Sequence, residues 1–80
     1  QTIRFNYYGP SVEAVLDKFP MAKVVDKKEG VCSIEAEVFG TGVKMWLLSQ
    51  GSKVKVTAPE TLVQEMRAEI QKMQEVADKA

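Results

Sequence analysis

The chain opens on alternation. Between Gln1 and Tyr8, Ile3, Phe5 and Tyr7 fall on one side and Thr2, Arg4 and Asn6 on the other. A period of two with β-branched and aromatic residues predicts a half-buried strand. Gly9-Pro10 ends it and opens a helix, with Pro10 suited to the first helical turn. Val12, Val15, Leu16 and Phe19 then recur at helical spacing as one apolar stripe, until Pro20 stops the helix. Ala22 to Lys28, with Val24 and Val25, predicts a second strand. Lys27-Lys28-Glu29-Gly30 is turn chemistry, Gly30 being free to take a positive φ. Val31 to Phe39 returns as a third strand, with Cys32, Ile34, Ala36 and Val38 on its apolar face and Ser33, Glu35 and Glu37 on its polar face.

Gly40-Thr41-Gly42 breaks the alternation, and Thr41 is placed to cap a helix. Val43, Trp46, Leu47 and Gln50 share one side of that helix, but Met45 and Leu48 are apolar too, which predicts a short helix buried under something else. Gly51 ends it as the glycine just past the last turn. Lys53 to Thr57 predicts a fourth strand, with Val54 and Val56 inward and Lys53 and Lys55 outward. Before the last helix two caps compete: a Thr57–Glu60 capping box, or Ala58 as cap with Pro59 at the first position. Leu62, Met66, Ile70, Met73 and Ala77 then repeat every three or four residues, with Val63 and Val76 beside them, over about 30 Å of helix.

The expected class is therefore α+β: a ferredoxin-like βαββαβ antiparallel sheet in strand order four-one-three-two, followed by a long C-terminal α-helix. Two helices cover one face. The open face carries Arg4 with Thr2 and Asn6, Glu35 and Glu37, Lys23, and Lys53 and Lys55, so Arg4 is expected to pair across strands with Glu35 or Glu37.

Composition narrows the function. Eighty residues make one domain. Eleven basic and eleven acidic residues cancel, which argues against a domain that coats nucleic acid, since such domains carry a basic excess. No apolar run approaches the roughly 18 residues that cross a bilayer. The single cysteine, Cys32, excludes a disulfide within the chain and fits a reducing, cytoplasmic setting. The absence of histidine removes the commonest general base and metal ligand. No enzyme activity, cofactor or metal is expected. The chain begins on Gln1, directly in a strand, which we take as a piece cut from a longer protein, the alternative being a processed N-terminus.

The remaining signals are mostly structural. Gly40-Thr41-Gly42 lacks the third glycine of a dinucleotide fingerprint, Met45 standing in its place, and reads as a strand-to-helix turn. Cys32 lies on an apolar strand face with nothing to activate it, so it belongs in the core. Glu35 and Glu37 share one strand face, and with cationic columns beside them they read as a solvated, salt-paired surface. An RNA-binding sheet of this topology would carry aromatics where Ser33, Glu35 and Glu37 stand. Trp46 reads as core, with a partner anchor as the alternative. The last helix, with Met66 and Met73, either packs back on its own sheet or meets a second chain.

One stretch is more specific. Trp46-Leu47-Leu48, Gly51, Val54 with Val56, Pro59 and Leu62 form a sequence that resembles the C-terminal extension, called WCX, of WYL-domain, helix-turn-helix transcriptional regulators of the DeoR-like family. That family's pattern is a Trp-Leu-Leu run, a glycine, a Val-x-Val strand, a proline and a Leu-rich amphipathic helix. The likeness is close from Val43 to Met66 and looser upstream. It implies that residues 1–80 are one WCX-like domain from the end of a longer bacterial regulator. Its role there would be oligomerisation and effector response. DNA would be met by upstream domains, and a nucleic-acid or nucleotide effector by the WYL domain or its junction. Met45-Trp46-Leu47 is not the motif that names the WYL domain, so no ligand residue carries over from it. On this reading Arg4, Glu35, Glu37, Lys53 and Lys55 form a candidate partner or effector surface, and Leu62, Met66, Ile70 and Met73 a candidate homodimer helix. A stand-alone βαββαβ small-molecule sensor is the alternative.

Overall fold

A computed structural model describes residues 1–40 and 42–79. The elements run β1 (Thr2–Tyr7), α1 (Val12–Lys18), β2 (Lys23–Lys28), β3 (Val31–Glu37), α2 (Gly42–Ser49), a 3-10 turn (Gly51–Lys53), β4 (Val54–Ala58) and α3 (Glu60–Ala77). The sheet is antiparallel with order β2-β3-β1-β4, the order expected of the βαββαβ arrangement. The whole order, β-α-β-β-α-β-α, carries one helix beyond βαββαβ and so does not match the bare ferredoxin-like order.

Alternation builds the core. Ile3 stands opposite Ala36, Phe5 opposite Ile34 and Val56, and Tyr7 opposite Cys32 and Val54. These residues share one sheet face because side chains alternate along a strand. Val15 of α1, Leu47 of α2, and Leu62 and Met66 of α3 are buried against that face. Phe5, Phe19 and Trp46 form an edge-to-face aromatic triad, Phe19 and Trp46 lying 4.9 Å apart at 86°. Such pairs add about 0.5–1.5 kcal/mol beyond their area burial.

Several boundaries move. Pro10 lies before α1, whose N-cap is Ser11, rather than in its first turn. β2 is exposed along its whole length, and its register steps from Val24 opposite Ile34 to Asp26 opposite Ser33, which leaves Val25 as a bulge. Bulged, lysine-rich edge strands resist pairing with other chains. β3 stops at Glu37, two residues short of Phe39, and Gly40 turns the chain at φ +77°. The cap expected of Thr41 lies outside the described residues. α2 is buried only along Leu47, with Val43, Trp46 and Leu48 half-buried and Met45 exposed, so it is not covered on all sides.

Gly51 takes the positive φ expected of it, +62°. Lys53 falls in the 3-10 turn that follows, not in β4. Neither expected cap forms at α3. Pro59 itself is the N-cap residue and offers no side-chain hydrogen bond; its carbonyl accepts from the Val63 N–H at 3.1 Å. Having no donor of its own, proline competes for nothing at a helix start.

Candidate partner surfaces

The open sheet face gathers part of the expected polar set. Arg4 stands directly across from Glu35, and Lys23 stands across from Glu35 on the other side. Arg4 donates from both Nε and Nη2 to Glu35 Oε2, at 2.8 and 2.6 Å. In the next row Ser33 Oγ donates to Asn6 Oδ1 at 2.9 Å, with Lys55 and Asp26 at the flanks. Glu37 stands opposite Thr2. The Lys53 carbonyl accepts the Tyr8 N–H at 2.7 Å, which fixes the backbone of its turn and leaves the side chain exposed. Among the described residues, Glu37, Lys53 and Lys55 form no ion pair. By strand register Arg4, Glu35, Glu37 and Lys55 thus share the open face, with Lys53 outside the sheet in the 3-10 turn, and only Arg4 and Glu35 bind each other. The face is of mixed sign and its one ion pair is open to solvent, which suits docking better than chemistry.

Cys32 is half-buried and packs against the core. Among the described residues no group of three or more His, Cys, Asp or Glu is placed to hold a metal ion, and no helix is long and apolar enough to cross a membrane.

A second surface was not foreseen. The end of α1 and the start of α2 leave a groove of about 450 Å³ between them. Phe19, Met21, Val38, Phe39, Val43 and Trp46 are its apolar lining. Met21 is 80% and Phe39 85% exposed. Trp46 therefore serves two surfaces at once, the aromatic triad within and the groove without. One sequence signal was available: Phe39 falls outside the apolar phase Cys32, Ile34, Ala36, Val38, so it has no place in the strand's core row.

α3 divides its stripe. Leu62 and Met66 are buried in this chain's own core, whereas Ile70, Met73 and Val76 are 53%, 51% and 63% exposed. A loose ion pair, Lys44 Nζ to Glu69 Oε1 at 3.7 Å, marks where α3 leaves α2. From Ile70 onward every described residue of α3 is exposed. About two turns of amphipathic helix thus stand clear of the body, although a helix that short is marginal in water without a partner.

The profile of the WCX domain family matches residues 2–74. No curated protein matches the chain, and neither does any solved structure.

Proposed function

The chain belongs to the WCX domain family, and from that membership we propose that it is the regulatory and oligomerisation domain of a bacterial WYL-type transcriptional regulator, without catalytic activity of its own. The observation that carries this reading is the family match over nearly the whole chain. Effector binding occurs in the WYL domain or at its junction with this one, and the effector is a nucleic-acid strand or a nucleotide. The response passes through this domain's sheet and last helix to a second copy. DNA is contacted by upstream helix-turn-helix domains. In support, the chain's charge sums to zero and the central strands present Glu35 and Glu37 on the open face, a poor surface for phosphate.

The test uses the parent polypeptide. Its intact mass in the native cell is expected to be several times 8.9 kDa, with a DNA-binding segment upstream. Removing residues 2–74 is expected to leave DNA recognition in place and to abolish oligomerisation and effector response. A native product near 8.9 kDa, or a truncated regulator that still responds, sinks the reading.

One observation favours the second reading, a stand-alone small-molecule sensor: the groove's volume of about 450 Å³ lies within the range of ligand sites. That reading expects a ligand to raise the melting temperature of this chain alone.

A further inference from the structure

The open face of the sheet is divided in charge. Its positions on β2 and β3 include Asp26, Glu35 and Glu37. On β1 and β4 no acid stands. The cations there are Arg4, which Glu35 occupies, and Lys55, with Lys53 just ahead of β4. Lys53 and Lys55 form no ion pair among the described residues. The next acid along the chain, Glu60, lies past the far end of β4 and accepts from Gln64 Nε2. Tyr8 marks the lysine end of this half. Its N–H donates to the Lys53 carbonyl at 2.7 Å, one residue beyond the Tyr7–Val54 pair, so the β1–β4 ladder continues through it. Alternation then sets Tyr8 on the face opposite the buried Tyr7, and it is 45% exposed. On its other side stands Val31, with Lys28 across from Val31 and Glu29 in the turn between β2 and β3. In the next row of the open face, Asn6 stands across from Lys55. The Asn6 amide oxygen is taken by Ser33 Oγ at 2.9 Å, which leaves its amide N–H groups as donors.

We propose that this corner binds single-stranded nucleic acid: one base stacks on the Tyr8 ring, the flanking phosphates meet Lys53 and Lys55, and the Asn6 amide donates to the base edge. This rests on the nucleic-acid effector proposed above and names the part of it that this domain holds. An exposed ring beside two unpaired ammonium groups suits a ligand that joins a flat ring to an anion, and a nucleotide does so at every unit. Stacking on an aromatic ring tolerates any base, because every base has a π-face. The lysines supply backbone contacts, which position a strand without reading it. The acids of β2 and β3 confine the contact. The strand leaves over the β4 edge, and the domain holds one or two nucleotides rather than coating a strand, in keeping with a net charge of zero. A duplex does not fit, because its bases are already stacked on one another.

The test is fluorescence anisotropy of the full 80-residue chain with a fluorescein-labelled single-stranded thymidine decamer, at about 50 mM salt and above. The strand is expected to bind, and a duplex of the same length to compete at least about tenfold less well than the unlabelled strand. Tyr8→Ala should weaken binding about fivefold or more, the scale of one lost stack, whereas Tyr8→Phe should keep it. Lys53→Gln combined with Lys55→Gln should also weaken binding. It should flatten the slope of log K against log salt by about 1.4, two phosphate contacts on a single strand. Lys79→Gln, a charge lost beyond the end of α3, should change neither. Circular dichroism checks that each variant folds, and the lysine pair keeps the test open if Tyr8→Ala does not.

A wild-type chain that does not bind the strand overturns the inference and leaves the proposed function standing, with the effector held wholly by upstream domains. Binding that a folded Tyr8→Ala leaves intact, or that a duplex matches, overturns it as charge attraction without a stack. Displacement of the labelled strand by poly-glutamate as readily as by the unlabelled decamer overturns it too, and would assign the corner to an acidic protein segment. The proposed function fails separately, on a native product near 8.9 kDa.

Discussion

The division of α3 into a buried and a free half makes a quantitative prediction. Met66 and Met73 are identical in type, lie two turns apart on one stripe, and differ in burial, the first being nearly enclosed and the second 51% exposed. Replacing Met66 with alanine removes three heavy atoms from the core, each equivalent to about 0.8 kcal/mol of transfer free energy. That comes to about 2.4 kcal/mol before any cavity term. Met66 lies at the margin of the core with a small part still in contact with solvent, so the site can partly refill and the cavity term is small. The expected loss is about 2–3 kcal/mol. A domain of this length is stable by only about 4–12 kcal/mol, so that loss is a large fraction. Met73→Ala in the monomeric chain should cost less than about 0.5 kcal/mol.

Urea titration at concentrations too low for association measures both. With a slope of about 1 kcal/mol/M, Met66→Ala lowers the midpoint by about 2 M or more, and Met73→Ala barely moves it. Two probes follow the transition. Far-ultraviolet circular dichroism reports α3, the longest helix, and Trp46 fluorescence reports the aromatic triad over β1. Leu62 and Met66 share one core cluster with Phe5 and Leu47, so the two curves should coincide for the wild type. Equal losses for the two alanine variants, or an α3 signal that melts well before the tryptophan signal, would refute the reasoning that half of α3 belongs to this core.

Three further expectations follow. Gly9→Ala sets a Cβ into the phenol ring of the buried Tyr7 and should cost about 1–3 kcal/mol as overpacking; an unchanged thermal midpoint would show that Tyr7 can swing aside freely. Gly30 sits at φ +74° with nothing within 4 Å of a built Cβ, so Gly30→Ala meets backbone strain alone and should cost about 1–2 kcal/mol. Gly30→Asn should cost less, and equal losses in chemical denaturation would contradict that account. A double-mutant cycle on Arg4 and Glu35 should give a coupling of about 0.2–1 kcal/mol that shrinks as salt rises, because the pair is well formed but open to solvent; a coupling that salt leaves unchanged would mean that the pair is not screened by water.

Much of this fold is written locally. The Ile3-Phe5-Tyr7 and Cys32-Ile34-Ala36-Val38 alternations determine which side of the sheet is core, since a strand has only two faces and a slip of one residue would bury arginine and glutamate. The positive φ at Gly30 and Gly51 follows from residue type and turn context. The close match of Trp46 through Leu62 to a family pattern was legible for the same reason: a short helix, a glycine stop, a strand and a proline are consecutive events.

What tertiary structure decided was every question about where a surface ends. The stripe on α3 runs unbroken from Leu62 to Ala77 in sequence, yet only its first half reaches the core, Leu62 and Met66 buried and Val63 packed beside them, because the helix outlasts the sheet and α2 beneath it. The pairing of Arg4 with Glu35 rather than Glu37 depends on strand register, a long-range property that no local pattern states. The groove brings Met21 and Phe39, from two separate loops, into one lining with Trp46. Its residues carry no shared periodicity, because loops have none, and only the closing of the chain brings them together. Periodicity specifies which way a side chain points within its element; what it meets there depends on the lengths and placement of the other elements.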